Sequence, residues 1–133
     1  MSAYLLDTNI CVALLKNHRG AVATFNRVFP QCYIPTLVLA ELFKGAYCSV
    51  QVQQNLEHLT EFTELLTVVP FDRDAAVEFG RIQGELRRLG KPTGEVDALI
   101  AAVARARQDI LVTDNLRHFA HIPHLTLENW LAP

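Results

Sequence analysis

A chain of 133 residues with a net charge of −2, half of it hydrophobic and a fifth charged, has the profile of one globular domain spanning 1–133. The weakly negative balance excludes a whole-molecule basic field, so any polyanionic partner must be held by a local patch or through a cation. No apolar run is long enough to span a membrane, and the opening residues do not read as a basic-then-apolar leader. Three cysteines without a CxxC pair point to reduced thiols in a cytoplasmic protein.

Tyr4–Leu6 reads as a brief strand that runs straight into Asp7. Tyr33–Ile34 is a second strand, after which Thr36 can cap a helix reaching about Lys44, with Gly45 as its end or a weak point. Val52 to Leu66 carries an apolar stripe with Glu57, Glu61 and Glu64 on the opposite side. Thr67–Val69 is a third strand. From Asp74, the residues Ala75, Phe79, Ile82, Leu86 and Leu89 recur at spacings of four and three, predicting an amphipathic helix stopped by Gly90 and Pro92. A further helix runs from about Glu95 to Arg107. Ile110–Val112 is a fourth strand and Leu125–Leu127 a fifth. Strands alternating with helices in this way predict an α/β fold, with a short, mostly parallel sheet sandwiched by helices.

Four acids stand where an acid needs a reason. Asp7 and Asp114 each follow a strand, and ligands of open parallel sheets sit beyond the carboxyl ends of the strands. Each can equally cap the helix that follows. Glu41 lies in "LVLAELF" and Asp97 in "VDALIAAVA", helices that are otherwise apolar all round and hence buried. An unpaired ionised carboxylate there costs several kcal/mol, enough to drive such a group to a cation, a solvated edge or a proton. For Asp97 a first-turn place on the helix dipole is a sufficient structural reason, but Glu41 is mid-helix. One arrangement explains all four together: Asp7, Glu41, Asp97 and Asp114 converge on a divalent cation. An all-oxygen ligand set favours Mg²⁺ or Mn²⁺. The chemistry expected of that set is metal-assisted hydrolysis of a nucleic-acid backbone. Thr8, Asn9 and Thr113 are placed either to hydrogen-bond these carboxylates or to serve as helix-start and turn residues.

The blocks "YLLDTNIC", "IPTLVLAELFKG", "DALIAAVA" and "ILVTDNLRHFAHIPHLTLENW" resemble, in order and over nearly the whole chain, the PIN-domain ribonucleases, and among them the VapC-type toxins of bacterial toxin–antitoxin pairs. The resemblance implies a PIN-like fold with an acidic Mg²⁺/Mn²⁺ pocket and endoribonuclease activity on tRNA or another structured RNA. It also implies a homodimer, and silencing by a cognate antitoxin that threads into the active-site groove. The family's acids carry over to Asp7, Glu41, Asp97 and Asp114, with Asn common among relatives at the last position. Thr36 stands where relatives often have Ser. The chain reads "PTGEV" where Gly-Pro is often found, and Glu95 is taken as a helix-start charge.

In "RRLGK", Arg87, Arg88 and Lys91 are candidates for gripping RNA phosphates, or else cations favoured at a helix C-terminus. Arg105, Arg107 and Arg117 stand on the same terms. His118, His121 and His124 recur every third residue, but Pro123 breaks the helix that would align them as a zinc site. The Ala75–Leu89 stripe reads as core, with a dimer contact second, and Trp130 as an anchor for the chain's end. Two functional classes remain: a metal-dependent endoribonuclease, or a non-catalytic RNA- or protein-binding module on the same fold.

Overall fold

Five short strands set the architecture: β1 (Tyr4–Leu6), β2 (Cys32–Pro35), β3 (Thr67–Val69), β4 (Ile110–Val112) and β5 (Thr126–Glu128). A computed structural model describes residues 2–132. All the strands pair in parallel, in the order β3-β2-β1-β4-β5. Leu5 and Leu6, Tyr33 and Ile34, and Leu111 and Val112 are buried in the three central strands. Uninterrupted apolar runs are what a sheet covered on both faces requires. The fifth strand begins one residue later than the sequence suggests. Its register pairs Ile110 with Thr126 and Val112 with Glu128, carrying Glu128 into the sheet edge.

The helices are α1 (Thr8–Leu15), α2 (Arg19–Val28), α3 (Thr36–Tyr47), α4 (Val52–Glu64), α5 (Arg73–Leu89), α6 (Glu95–Arg107) and α7 (Leu116–Phe119), with a 3₁₀ turn at Phe29–Gln31. Two expectations for α3 are corrected. Thr36 is the first helical residue rather than the cap, a position that falls on Pro35 and carries no side-chain hydrogen bond. Gly45 does not end the helix, because Leu42 and Ala46 are both buried on one face and carry it through to Tyr47. At α5 the start moves back to Arg73, since Asp72 accepts a hydrogen bond from the Ala75 amide at 3.0 Å. Its end is where Gly90, at φ 66°, takes the left-handed conformation that glycine adopts without steric cost.

The apolar helix α6 buries Ala98 and Ile100 through Ala104. Its last turn explains why two arginines are not available to a polyanion. Arg105 is almost enclosed and pairs with Glu78 and Glu85 of α5, both at 2.8 Å, while also donating to the Pro123 carbonyl at 3.1 Å. Arg107 stacks over the Tyr33 ring at 4.8 Å and pairs with Asp109. Asp109 in turn accepts from the Tyr33 hydroxyl at 2.7 Å and the Ala3 amide at 2.8 Å, tying the start of β1 to the turn before β4. Trp130 is buried against Tyr4, with ring centroids 5.8 Å apart, which fixes the chain's end to the first strand. Cys11, Cys32 and Cys48 are free thiols. Burial pushes Cys32 up to about 12 and Cys11 higher still, so neither is a ready nucleophile. Among the described residues no helix is long and apolar enough to cross a membrane.

Candidate active site

The chain places β2 and β3 on one side of β1, then crosses to put β4 and β5 on the other. The strand order therefore reverses between β1 and β4, and the crevice at such a switch point is where open parallel sheets bind ligands. Asp7 leaves β1 at this point, and its amide donates to the Val112 carbonyl of β4 at 2.9 Å. Thr113 leaves β4 beside it, its amide held by the Glu128 carbonyl at 2.9 Å. Both side chains are buried, 4% and 0% exposed, although both are polar.

Asp7 combines the two roles that the sequence leaves open. Its Oδ1 accepts from the Thr8 amide at 2.8 Å and so caps α1, while its Oδ2 accepts from the Thr113 hydroxyl at 2.8 Å. Burial pushes the Asp7 carboxyl above its ordinary value of 3.8. The Thr113 and Thr8 hydrogen bonds oppose this, and the charges of Asp97 and Glu41 add to it. Asp97 is in the first turn of α6 and Glu41 midway along α3. Glu41 accepts a hydrogen bond from the Thr8 hydroxyl. The third acid, Asp97, holds His118 Nδ1 at 2.9 Å.

Asp114 is placed differently. It is exposed, does not cap α7, and accepts from Asn129 Nδ2 at 3.1 Å. Its amide donates to Asn9 Oδ1 at 3.0 Å, and the same Asn9 side chain reaches the Thr113 hydroxyl at 3.4 Å. Asn9 thus bridges the ends of β1 and β4, fixing the Asp114 backbone rather than its carboxylate. Glu95 is exposed in the first turn of α6, on the favourable end of the helix dipole.

The donor set around Asp7 is all oxygen and all anionic, the chemistry that hard divalent ions select. A cation there would offset the burial that chiefly makes Asp7 hard to ionise, and the smaller repulsion from Asp97 and Glu41. Among the described residues no group of three or more His, Cys, Asp or Glu side chains stands close enough together to hold a metal ion. Asp97 is held by His118 and Glu41 by the Thr8 hydroxyl.

Two clefts hold Glu41 and Asp97. One, of about 500 Å³, has Thr8 and Glu41 at its rim and Val12, Leu42 and Leu59 along its wall. The other, of about 440 Å³, contains Asp97 and Lys91. A third, of about 440 Å³, holds Asp114 with Arg117 and His118. The "RRLGK" cations are split. Lys91 turns into the Asp97 cleft, Arg87 lines a separate cleft beside Gln83 and Pro92, and Arg88 lies along α5 toward Glu85. Sequence reasoning singled out neither the His118–Asp97 contact nor Asn129. The former has a faint signal, a histidine soon after the "TDN" turn, and the latter has none.

A doubly wound parallel sheet with a buried aspartate at its switch point defines a small α/β domain. Residues 4–125 match the PIN domain, and the chain belongs to the PIN-domain family. It is 37% identical over 131 residues to the tRNA(fMet)-specific endonuclease VapC of Salmonella typhimurium, covering 98% of this chain and 99% of that one. It is 36% identical over 132 residues to ribonuclease VapC2 of Haemophilus influenzae, covering 98% and 100%. Among solved structures, the DNA-bound VapBC of Salmonella typhimurium superposes with a TM-score of 0.93 at 37% identity, over 98% of this chain and 99% of that chain. VapBC2 of Rickettsia felis bound to a promoter DNA fragment gives 0.91 at 34% identity, over 96% and 98%.

Proposed function

We propose that this chain is a divalent-metal-dependent endoribonuclease that hydrolyses phosphodiester bonds of tRNA or another structured RNA, and that it is the toxin of a toxin–antitoxin pair. The observation that carries the reading is the buried Asp7 at the β1–β4 switch point, hydrogen-bonded to Thr113 and linked through Thr8 to Glu41. Relatives of near-equal length named as ribonucleases support it. Asp7, Glu41 and Asp97 would hold Mg²⁺ or Mn²⁺, with Asp114 contributing directly or through water. Such an ion supplies charge neutralisation at the phosphoryl oxygens and a more acidic water.

The chain's own residues do the positioning. Thr113 fixes one oxygen of Asp7 and the α1 amide end fixes the other, which sets the plane of the carboxylate. Thr8 aims Glu41 toward the same point, and His118 steadies Asp97. Asp114, exposed at the rim with one oxygen on Asn129, is placed to orient or accept a proton from the attacking water. The Glu41 cleft, lined by Val12, Leu15, Leu42 and Leu59 with Glu41, Lys16 and His58, suits an antitoxin segment that seats apolar side chains. A homodimer and a cytoplasmic location follow from the same family reading.

The test is cleavage of total tRNA by the purified chain. Fragments are expected with Mg²⁺ or Mn²⁺ and none with excess chelator, and cleavage that persists in chelator rejects the mechanism. The competing reading, a non-catalytic module, predicts RNA binding with no turnover under any metal. Thr113→Val is expected to weaken Mn²⁺ affinity about 10–100-fold, the usual cost of losing a group that orients a ligand. It keeps the side-chain shape but removes the donor to Asp7 and the acceptor for Asn9 and the Asn115 amide. Mn²⁺ titration followed by thermal shift checks it.

A further inference from the structure

Lys91, Arg117 and His121 line one cleft with Thr93, Asp97 and His118. The cations come from two separate stretches, the loop after α5 and the region of α7. The Thr93 hydroxyl donates to the His118 carbonyl at 2.8 Å and pins one stretch against the other. The cleft walls are thus held in place before anything enters. Arg81 and Arg105 pair with glutamates and Arg107 with Asp109, whereas Arg19, Arg27, Arg73, Arg87 and Arg88 are in no ion pair among the described residues, so it is the place beside Asp97 that sets Lys91 and Arg117 apart. Among the described residues neither Lys91 nor Arg117 is in an ion pair, and both are exposed. In a chain of net charge −2 they are unspent positive charges beside the acids that must receive an anionic backbone.

We propose that this cleft is a phosphate subsite that grips the RNA backbone next to the Asp7–Asp97 crevice, with Lys91 and Arg117 as its two charged groups. The inference rests on the ribonuclease reading and names where the strand is held. Asp97, in the first turn of α6, lines this cleft together with Lys91 and Arg117, which puts both cations beside one of the acids. A cleft of about 440 Å³ is of the size that holds one nucleotide-scale group. Phosphate contacts of this kind position a strand without reading its sequence, and each releases counterions. Arg87 and Arg88, grouped with Lys91 by sequence, lie outside the cleft and contribute little to the grip.

The experiment measures binding of an oligouridylate of about 12 nucleotides, within the span of single-strand sites, by fluorescence anisotropy across a KCl series. Chelator is present throughout, so no metal-dependent cleavage intervenes. Relative to the parent, the double variant Lys91→Gln/Arg117→Gln is expected to lower the slope of log K against log salt by about 1.4, or roughly 0.7 for each single-strand phosphate no longer neutralised. The double variant Arg87→Gln/Arg88→Gln should keep the parental slope, and all four side chains are exposed, so melting temperatures should match. An unchanged slope in the first variant, or an equal fall in the second, overturns the subsite. A cleft that gripped acidic groups of a protein partner instead would give that unchanged slope. Parental cleavage with Mg²⁺ is scored separately. Cleavage with no slope change sinks the subsite and spares the nuclease reading. A slope change with no cleavage supports RNA binding at the cleft and sinks the nuclease reading.

Discussion

Asp7→Asn is expected to lower RNA cleavage about 10²–10³-fold, the scale on which loss of one preorganised electrostatic group is felt, while raising the melting temperature of the metal-free protein. The two effects share one cause. Burial and the charges of Asp97 and Glu41 make the ionised Asp7 costly, and the Thr113 and Thr8 hydrogen bonds offset this only in part. The carboxyl therefore titrates higher in the folded chain than in the unfolded one. The penalty is absent below the ordinary value of 3.8, grows as pH rises toward the raised value, and is fully present above it. Asn carries no charge at any pH, so at neutral pH the metal-free variant escapes the penalty.

Adding Mg²⁺ should reverse the order. A ligand that binds only the folded state stabilises by about 2.7 kcal/mol at a hundred times its Kd. The parent should show that thermal shift and Asp7→Asn should lose it. Paired melts in chelator and in Mg²⁺, with a tRNA cleavage assay, separate the outcomes. A variant that keeps the parental Mg²⁺ shift would show that Asp7 is not where the cation sits.

The strands and most of the long helices were legible because their signals are local. Alternating brief apolar runs and helical stripes predicted the five-strand sheet, and Asp7, Glu41 and Asp97 stood out as acids in apolar surroundings. What was hidden depends on register and on partners distant in sequence. The α1 segment is so apolar that Ile10, Cys11 and Leu14 make no clear stripe. Asn129 reaches Asp114 only because β5 pairs with β4 at one register. Asp114 looked equivalent to Asp7, since both follow strands. Yet Thr113 comes first after β4, so Thr113 takes the buried position and Asp114 is left at the rim. Equally, no spacing rule told Arg105 from Arg117, one locked between two glutamates and the other free beside the crevice.

That lock gives the second large effect. Arg105→Met is expected to destabilise the fold by about 3 kcal/mol, the low end of the cost of breaking a buried ion pair, because Glu85 keeps 27% of its side chain in solvent while Arg105 keeps 8%. The loss comes less from the missing attraction than from leaving Glu85 against an apolar side chain, with Glu78 keeping only Arg81 and the Pro123 carbonyl losing a donor. Replacing all three, as Arg105→Met/Glu78→Gln/Glu85→Gln, should therefore recover much of the stability. The pH dependence has a definite sign. Hydrogen bonding to Arg105 holds the Glu85 carboxyl below its ordinary 4.5, so its contribution is present above that value and fades as pH falls through the lowered one. Urea midpoints at neutral pH and in progressively stronger acid should thus converge between parent and Arg105→Met as the pH falls. Arg105 and Asp97 sit at opposite ends of α6, and the clamp on α5 anchors the end of that helix away from Asp97. Arg105→Met should accordingly weaken Mn²⁺ binding even where the variant remains folded, and unchanged Mn²⁺ affinity would restrict the clamp to stability alone.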